Sequence, residues 1–162
     1  MFGKKIILVG AGASGKDYFR QNFQKHLGLK FSLSCTTREP REGEIDGKDY
    51  KFIPKEMFES FIKFGNMLQY AEFNGEFYGT TKDDFNECDL FIMSPDGIAQ
   101  MSPEDRKLCS VVFIFADAAV TYDRFLQRGF SELQIGQRLV ADEKLFSGFN
   151  NYDYIIVNNF KG

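Results

Sequence analysis

The feature that most limits how this chain can fold is a glycine-rich segment near its start. An apolar run at residues 6–9 leads directly into Gly-Ala-Gly-Ala-Ser-Gly-Lys, and a stretch with helical character follows. In a strand, tight loop and helix of this kind, backbone N–H groups and the helix N-terminus point at phosphate oxygens, and the lysine neutralises the β- and γ-phosphates. We therefore predict an ATP-binding loop made of Gly10, Ala11, Gly12, Ala13, Ser14, Gly15 and Lys16.

The residue after this lysine departs from the usual pattern. Serine or threonine commonly supplies a hydroxyl to Mg²⁺ at this point, whereas this chain has Asp17. A carboxylate is also a hard oxygen ligand, which binds magnesium directly or through water. Asp17 is equally suited to act only as an acidic residue at the start of a helix. Both roles stay open, and the loop predicts ATP and Mg²⁺ as cofactors.

Short apolar runs along the chain predict a parallel sheet. They are uninterrupted and rich in β-branched or aromatic residues, which is typical of strands buried on both faces. These predicted strands lie at residues 6–9, 90–93, 111–115 and 154–157. Helical stretches are predicted at residues 17–27, 55–64, 119–128 and 132–145. The alternation indicates an α/β fold with three layers, α/β/α, around a mostly parallel central sheet.

Two segments interrupt this alternation. The first, residues 32–81, is rich in Thr, Arg, Glu, Gly and Asp, and is predicted as a lobe inserted at the edge of the sheet with strands at 50–53 and 67–73. The second, at about residues 129–137, is a polar stretch between two arginine-bearing helices and is predicted as a short mobile lid. The rest forms the core of a single domain, residues 1–31 and 82–162.

Composition excludes several other classes of protein. With 162 residues, 43% of them hydrophobic, the chain has the size and content of one globular domain. Its net charge of −3 argues against non-specific binding of nucleic acid. The first apolar run is too short for a signal peptide or a membrane span, and three cysteines without metal-ligand spacing predict reduced thiols. We expect a cytoplasmic protein that binds neither nucleic acid nor membrane.

Two further motifs give the chain a resemblance to a known family. Residues 34–50 read SCTTREPREGEIDGKDY and resemble the guanylate kinase signature S-x-T-T-R-x-P-R-x-G-E-x-x-G-x-D-Y. Residues 71–80 read AEFNGEFYGT and resemble the A-E-x-x-G-x-x-Y-G-T stretch of the same family. The likeness spans about residues 6–158. It implies a P-loop kinase that transfers the γ-phosphoryl group of ATP to GMP or dGMP.

The resemblance also implies a site for the acceptor monophosphate. Arg38 and Arg41 lie on a proline-stiffened loop, where their planar guanidinium groups suit the binding of one phosphate. Two tyrosines stand at family positions whose phenols donate to that phosphate, a serine resembles a further phosphate ligand, and a threonine resembles the partner of the guanine carbonyl. These four residues are Tyr50, Tyr78, Ser34 and Thr80.

Two departures from the family concern the base. Guanine presents N1–H and an amino group side by side, and a carboxylate accepts both. Guanylate kinases have a glutamate where this chain has Gln69, whose amide offers one acceptor only. The family's D-x-D-x-Q-G stretch reads IMSPDG at residues 92–97, so that Ser94 and Asp96 stand there. Because a site that loses matched acceptors discriminates less, we expect a relaxed preference for the base.

Three arginines are implied to surround the transferring phosphates. The resemblance assigns this role to Arg124, Arg128 and Arg138, and cations delivered by a closing segment stabilise the phosphate oxygens while excluding water. A surface ion pair with a neighbouring carboxylate is the alternative for each arginine. Asn158, after the last predicted strand, resembles the segment that lies against adenine.

A second class of function also fits the residues. Guanylate-kinase-like domains occur as protein-interaction modules that have lost catalysis and bind a phosphopeptide. Gln69, Ser94 and Asp17 agree with this alternative, whereas the complete Gly-Lys pair of the phosphate loop and the three arginines favour an enzyme. A third possibility is a kinase for another small acceptor, although the paired arginines and tyrosines favour a monophosphate.

Overall fold

A computed structural model describes residues 4–161 of the chain. Its strands are β1 (Lys5–Val9), β2 (Cys35–Thr36), β3 (Lys51–Phe52), β4 (Met67–Phe73), β5 (Glu76–Thr81), β6 (Leu90–Ile92), β7 (Cys109–Phe115) and β8 (Tyr154–Val157). Its helices are α1 (Lys16–Leu27), α2 (Lys55–Lys63), α3 (Lys82–Glu87), α4 (Pro95–Ala99), α5 (Pro103–Lys107), α6 (Ala118–Gln127) and α7 (Glu132–Phe146). Among these helices, none is both long and apolar enough to cross a bilayer.

A parallel sheet forms the centre of the molecule. Its strands lie in the order β6-β1-β7-β8, and each neighbouring pair is parallel. Leu8 of β1 lies opposite Ile92 on one side and Val112 on the other. The four strands predicted from apolar runs are confirmed, and β7 begins earlier than predicted, at Cys109.

Helices cover both faces of this sheet because the side chains of β1 alternate between the faces. Ile6 and Leu8 belong to a cluster that contains aromatic residues of α1. Ile7 and Val9 face the other way, into a cluster with side chains from α3, α4 and α7, among them Phe85, Ile98 and Phe146. The predicted three-layer α/β/α architecture is confirmed.

A second sheet lies within residues 32–81. Its strands lie in the order β3-β2-β5-β4, with β4 and β5 joined as an antiparallel hairpin through Asn74 and Gly75. Phe58 of α2 is fully buried against it and stacks on Phe77 with ring centroids 5.1 Å apart. The sequence predicted β4 with its bounds, but β2 and β5 were missed because their Thr, Gly and Tyr residues carry little apolar signal.

The stretch predicted as a lid, about residues 129–137, includes the start of α7. This helix begins at Glu132, as the predicted helix over residues 132–145 does. Ser131 caps this helix: its Oγ accepts the N–H of Gln134 at 3.2 Å, and the Gln134 side chain accepts the N–H of Ser131 at 2.9 Å. This reciprocal pair fixes the helix start. Only residues 128–131 separate the two helices.

Truncation of the central strand tests how far the fold depends on it. Ile7→Ala removes a fully buried side chain between two strands, and we expect the free energy of unfolding to fall by about 2–5 kcal/mol in urea titrations. Ile155→Ala makes the same change on β8, where the side chain is 48% exposed, and should cost clearly less. Equal losses would contradict a core centred on β1.

Candidate active site

The site lies at the carboxyl edge of the parallel sheet. β1 ends at Val9 and its neighbour β6 ends at Ile92, so the loops that follow them leave the sheet side by side. The first is the predicted phosphate loop, and the second contains Ser94, which caps α4. Ligands of parallel α/β sheets bind at this edge, because the strands deliver their loops there together.

The phosphate loop is wound tightly around the start of α1. Gly15 has a φ of 103°, a conformation that glycine adopts readily, and a Cβ atom there would collide with the side-chain amide of Asn158. Lys16 opens the helix and its ammonium donates to the carbonyl oxygens of Gly10 and Ala11, the latter at 3.1 Å. Burial lowers the pKa of Lys16, while the carboxylates of Asp142 and Asp17 oppose the shift.

Two side chains hold this loop from outside. The guanidinium of Arg124 donates to the carbonyl of Ala13 at 2.9 Å, and also to those of Asn158 and Phe160 at 2.8 and 3.0 Å. The side chain of Asn158, which is buried, donates to the carbonyl of Ser14 at 2.8 Å. Arg124 and Asn158 therefore join the loop to the segment that follows β8.

One cavity of about 370 Å³ brings predicted donor and acceptor residues together. The rings of Tyr50 and Tyr78 meet edge to face there, with centroids 6.2 Å apart. The residues predicted from sequence that line it are Gly10, Gly12, Lys16, Ser34, Tyr50, Gln69, Tyr78 and Ser94. The phosphate loop and the second sheet thus share one cavity.

Behind the two tyrosines, an arginine is held by a glutamate that sequence reasoning missed. Arg38 donates from both terminal nitrogens to Glu44, at 2.8 and 3.0 Å, and its guanidinium carbon lies 5.3 Å from the centre of the Tyr50 ring. Glu44 also accepts the backbone N–H of Arg41 at 2.8 Å. The only hint in the sequence was the acidic position of the matched signature.

The ion pair between Arg38 and Glu44 shifts both groups. Its hydrogen bonds raise the pKa of Arg38 further above the usual range, and lower the pKa of Glu44 from 4.5 to about 2. Both side chains are partly buried, at 13% and 22% exposure. The Nε–H of Arg38 is buried and has no acceptor within residues 4–161.

The far end of the cavity is built around Gln69. Its Nε2 donates to Thr80 Oγ1 at 2.9 Å, and both residues are buried. Its Oε1 lies against Gly97, where a Cβ atom would come within 2.6 Å of it and would have to displace the amide. The N–H of Gly97 donates to Ser94 Oγ at 3.1 Å. Gln69 therefore presents one carbonyl oxygen, whereas Asp96 is exposed and does not line the cavity.

A second cavity lies on the opposite side of the phosphate loop. It measures about 760 Å³ and is bounded by the loop, α6 and the segment after β8. The predicted residues that line it are Ala13, Gly15, Arg124, Arg128 and Asn158. The phosphate loop therefore separates the two cavities.

Other predicted residues lie outside both cavities. Asp17 is exposed at the first turn of α1 and pairs with Arg20 at 3.5 Å, which agrees with its alternative role at a helix start. Arg41 is exposed. The guanidinium carbon of Arg138 lies over the ring of Phe130, 4.7 Å from its centre. No three His, Cys, Asp or Glu side chains of the described chain are grouped to hold a metal ion.

A further carboxylate at the phosphate loop was missed as a site residue. Asp142 of α7 lines the first cavity, and its Oδ2 accepts the backbone N–H of Gly12 at 3.1 Å. The residues are far apart in the chain, so local sequence carried no signal beyond an acid one helical turn after Arg138.

A parallel sheet whose central strand β1 ends in a phosphate loop is typical of P-loop nucleotide-binding proteins, and here a second sheet lines a cavity beside that loop. Comparisons with known proteins agree. A family model described as Guanylate kinase matches residues 2–160. The chain belongs to the guanylate kinase family.

Relatives and a solved structure support this membership. A guanylate kinase of Streptococcus thermophilus is 37% identical, over 97% of this chain and 79% of the relative. One of Listeria monocytogenes is 34% identical, over 97% of this chain and 81% of the relative. The crystal structure of guanylate kinase from Anaplasma phagocytophilum superposes with a TM-score of 0.66 at 22% identity, over 98% of this chain and 78% of that one, and so supports the fold.

The ion pair of Glu44 predicts a pH-dependent contribution to stability. Because folding lowers its pKa from 4.5 to about 2, the contribution is complete above about pH 4.5 and is lost as the pH falls through 2. Glu44→Gln should therefore lower the melting temperature at pH 5–7, and the difference from the unmodified chain should shrink below about pH 4.5. Glu42→Gln, in the same loop with an exposed side chain, is the matched control. A difference that persists unchanged to pH 2.5 would contradict the ion pair.

Proposed function

We propose that this protein transfers the γ-phosphoryl group of ATP to GMP or dGMP. The observation that carries the proposal is a single cavity lined by Lys16 of the phosphate loop and by residues of the inserted segment: Tyr78 of β5, and Ser34 and Tyr50 directly before β2 and β3. An acceptor phosphate held by the second sheet would lie directly opposite a donor phosphate held by the loop. The relatives bear the names of guanylate kinases, and none of the names reported above favours the interaction-module alternative.

The acceptor phosphate is bound by guanidinium and hydroxyl groups. Arg38 is fixed by Glu44 behind the two tyrosines, and its unpartnered Nε–H is available once the loop adjusts to an anion. Arg41 reaches the phosphate from the exposed part of the same loop, whose backbone Glu44 also holds. Residues 32–81 act in this proposal as the monophosphate-binding lobe.

The donor nucleotide occupies the other side. Its phosphates lie on the N–H groups of the loop, and its adenosine enters the second cavity beside Arg124 and Asn158. Arg128, which lines the same cavity, and Arg138 of α7 stabilise charge on the transferring group when the segment between α6 and α7 closes. Arg124 contributes chiefly by holding the loop, since its donors are engaged by backbone carbonyls.

A bound Mg²⁺ would take most of its ligands from the nucleotide rather than from the protein. The described residues bring no acidic cluster together, and Mg²⁺ in such enzymes takes ligands from phosphates and water, with few from protein. Asp17 adjoins Lys16 and would reach the ion through water, at the expense of its pairing with Arg20. When bound, the ion neutralises charge on the β- and γ-phosphates. A cytoplasmic location is proposed on the free, buried thiols of Cys35, Cys88 and Cys109, which agree with a reducing compartment.

Catalysis then rests on position and charge. An oxygen of the acceptor phosphate attacks the γ-phosphorus; a new P–O bond forms there, and the bond to the β–γ bridging oxygen breaks to release ADP. The attacking oxygen carries no proton that must be removed, so no general base is required. Lys16 and the arginines neutralise the charge on the transferring group, and the two sides of the cavity hold the reactants in line.

A coupled assay of ADP production tests the proposal. With ATP and Mg²⁺ present, ADP production should require an acceptor monophosphate and should be fastest with GMP or dGMP. Lys16→Met should lower kcat by on the order of 100-fold or more, because it removes a preorganised charge at the phosphates. Lys25→Met, at the far end of α1, should be nearly silent. ATP binding without transfer to GMP, dGMP, AMP, dTMP or CMP would overturn the enzyme in favour of a binding module.

The single acceptor of Gln69 predicts how the base is read. A purine with O6 and N1–H satisfies Thr80 and Gln69, while the 2-amino group of guanine gains no partner from the amide. The protein should therefore distinguish GMP from IMP, which lacks that amino group, only weakly. Gln69→Glu supplies the second acceptor and should raise the ratio of kcat/KM for GMP over IMP about tenfold. Gln21→Glu, exposed on α1, is the control, and an unchanged ratio in Gln69→Glu would exclude this role.

A further inference from the structure

A carboxylate occupies part of the phosphate cradle. Oδ2 of Asp142 accepts the N–H of Gly12 at 3.1 Å, and the half-buried side chain lines the cavity that contains Lys16. Backbone N–H groups of a phosphate loop are the groups that otherwise bind phosphate oxygens. A negatively charged oxygen from α7 thus lies where a nucleotide would place one of its own.

Groups of the protein also partly neutralise the positive charge of Lys16. Asp142 is the strongest of the charges acting to raise the pKa of its ammonium, which burial lowers. The ammonium itself donates to the carbonyls of Gly10 and Ala11. Groups of the protein itself therefore partly neutralise the loop.

We propose that Asp142 is a built-in competitor of the donor phosphates and sets the affinity of the loop for ATP. In the nucleotide-free protein its carboxylate stands in for a phosphate oxygen. Binding of ATP transfers the Gly12 N–H to the nucleotide and expels Asp142 from the loop. The proposal rests on the proposed function only in taking a polyphosphate as the ligand of the loop.

Expulsion of Asp142 is coupled to an arginine on the same helix. Arg138 precedes Asp142 by four residues, so both lie on one side of α7. The guanidinium of Arg138 rests over Phe130 and Phe125, away from the cavity. A displacement of α7 that withdraws the Asp142 carboxylate from the loop also moves the Arg138 guanidinium. One motion therefore replaces a negative charge, which repels the phosphates, by a positive charge, which attracts them.

Equilibrium binding separates this role from others. Asp142→Asn removes the charge, keeps the shape and retains an oxygen that can accept from Gly12. We expect its dissociation constant for ATP in EDTA to be about tenfold lower than that of the unmodified protein, because a full charge near the phosphates is removed. Tripolyphosphate, which lacks adenosine, should show the same gain. With GMP and Mg²⁺, KM for ATP should fall while kcat does not rise.

Glu143→Gln is the matched control. It makes the same charge change on the next residue of α7, which is exposed and does not line the cavity with Lys16. Its affinity for ATP should stay within about twofold of the unmodified protein. Should Asp142→Asn melt early, Asp142→Ser supplies a second neutral side chain for the same titrations.

Three results would overturn the proposal. Unchanged affinity in EDTA would mean that Asp142 does not compete with phosphate. Weaker binding in Asp142→Asn with Mg²⁺, without a gain in EDTA, would identify a metal ligand instead. Failure of every variant to bind ATP or tripolyphosphate would remove the phosphate site itself. If only the proposed function is wrong, ATP still binds and Asp142→Asn still changes its affinity, but no phosphoryl group is transferred to GMP.

Discussion

The packing of one strand fixes the whole site. β1 is hydrogen-bonded on both sides, and Ile7, Leu8 and Val9 are fully buried. A slip of one residue would turn every one of these side chains to the wrong face, so the strand has a single register. Because the phosphate loop starts at the next residue, the core determines where its N–H groups lie. The adjoining end of β6 places Ser94, which follows it, on the same edge of the sheet.

The loop is also fixed from the opposite end of the chain. Arg124 spans the carbonyls of Ala13, Asn158 and Phe160, and the side chain of Asn158 reaches Ser14. The bonds to Ala13 and Asn158 satisfy carbonyl oxygens of buried residues, whereas Phe160 is exposed. The donor side therefore depends on residues after β8 as much as on the glycine-rich segment. Arg124 serves as a support in this arrangement, which leaves Arg128 and Arg138 as the arginines proposed to act on the transferring group.

Features that depend on a local sequence pattern could be predicted, whereas features that depend on contacts between distant residues could not. The parallel strands could be predicted because each is a continuous apolar run, and the phosphate loop because its chemistry is contiguous. The strands β2 and β5 were hidden, since short polar segments become strands only through their partners. From the sequence alone, Glu44 was one acidic residue of a polar loop, because its pairing with Arg38 depends on how that loop folds. Asp142 reaches Gly12 across 130 positions, a contact that no window of sequence contains.

The pair of tyrosine rings in the cavity has a practical consequence. The chain contains seven tyrosines and no tryptophan, so tyrosine dominates its near-ultraviolet emission. Tyr50 and Tyr78 meet edge to face on the wall that faces the phosphate loop, and an anion or a base entering there changes the surroundings of both rings. The protein thus carries an intrinsic optical probe of what occupies this cavity, and a phenylalanine in place of either ring would show how much of the signal arises there.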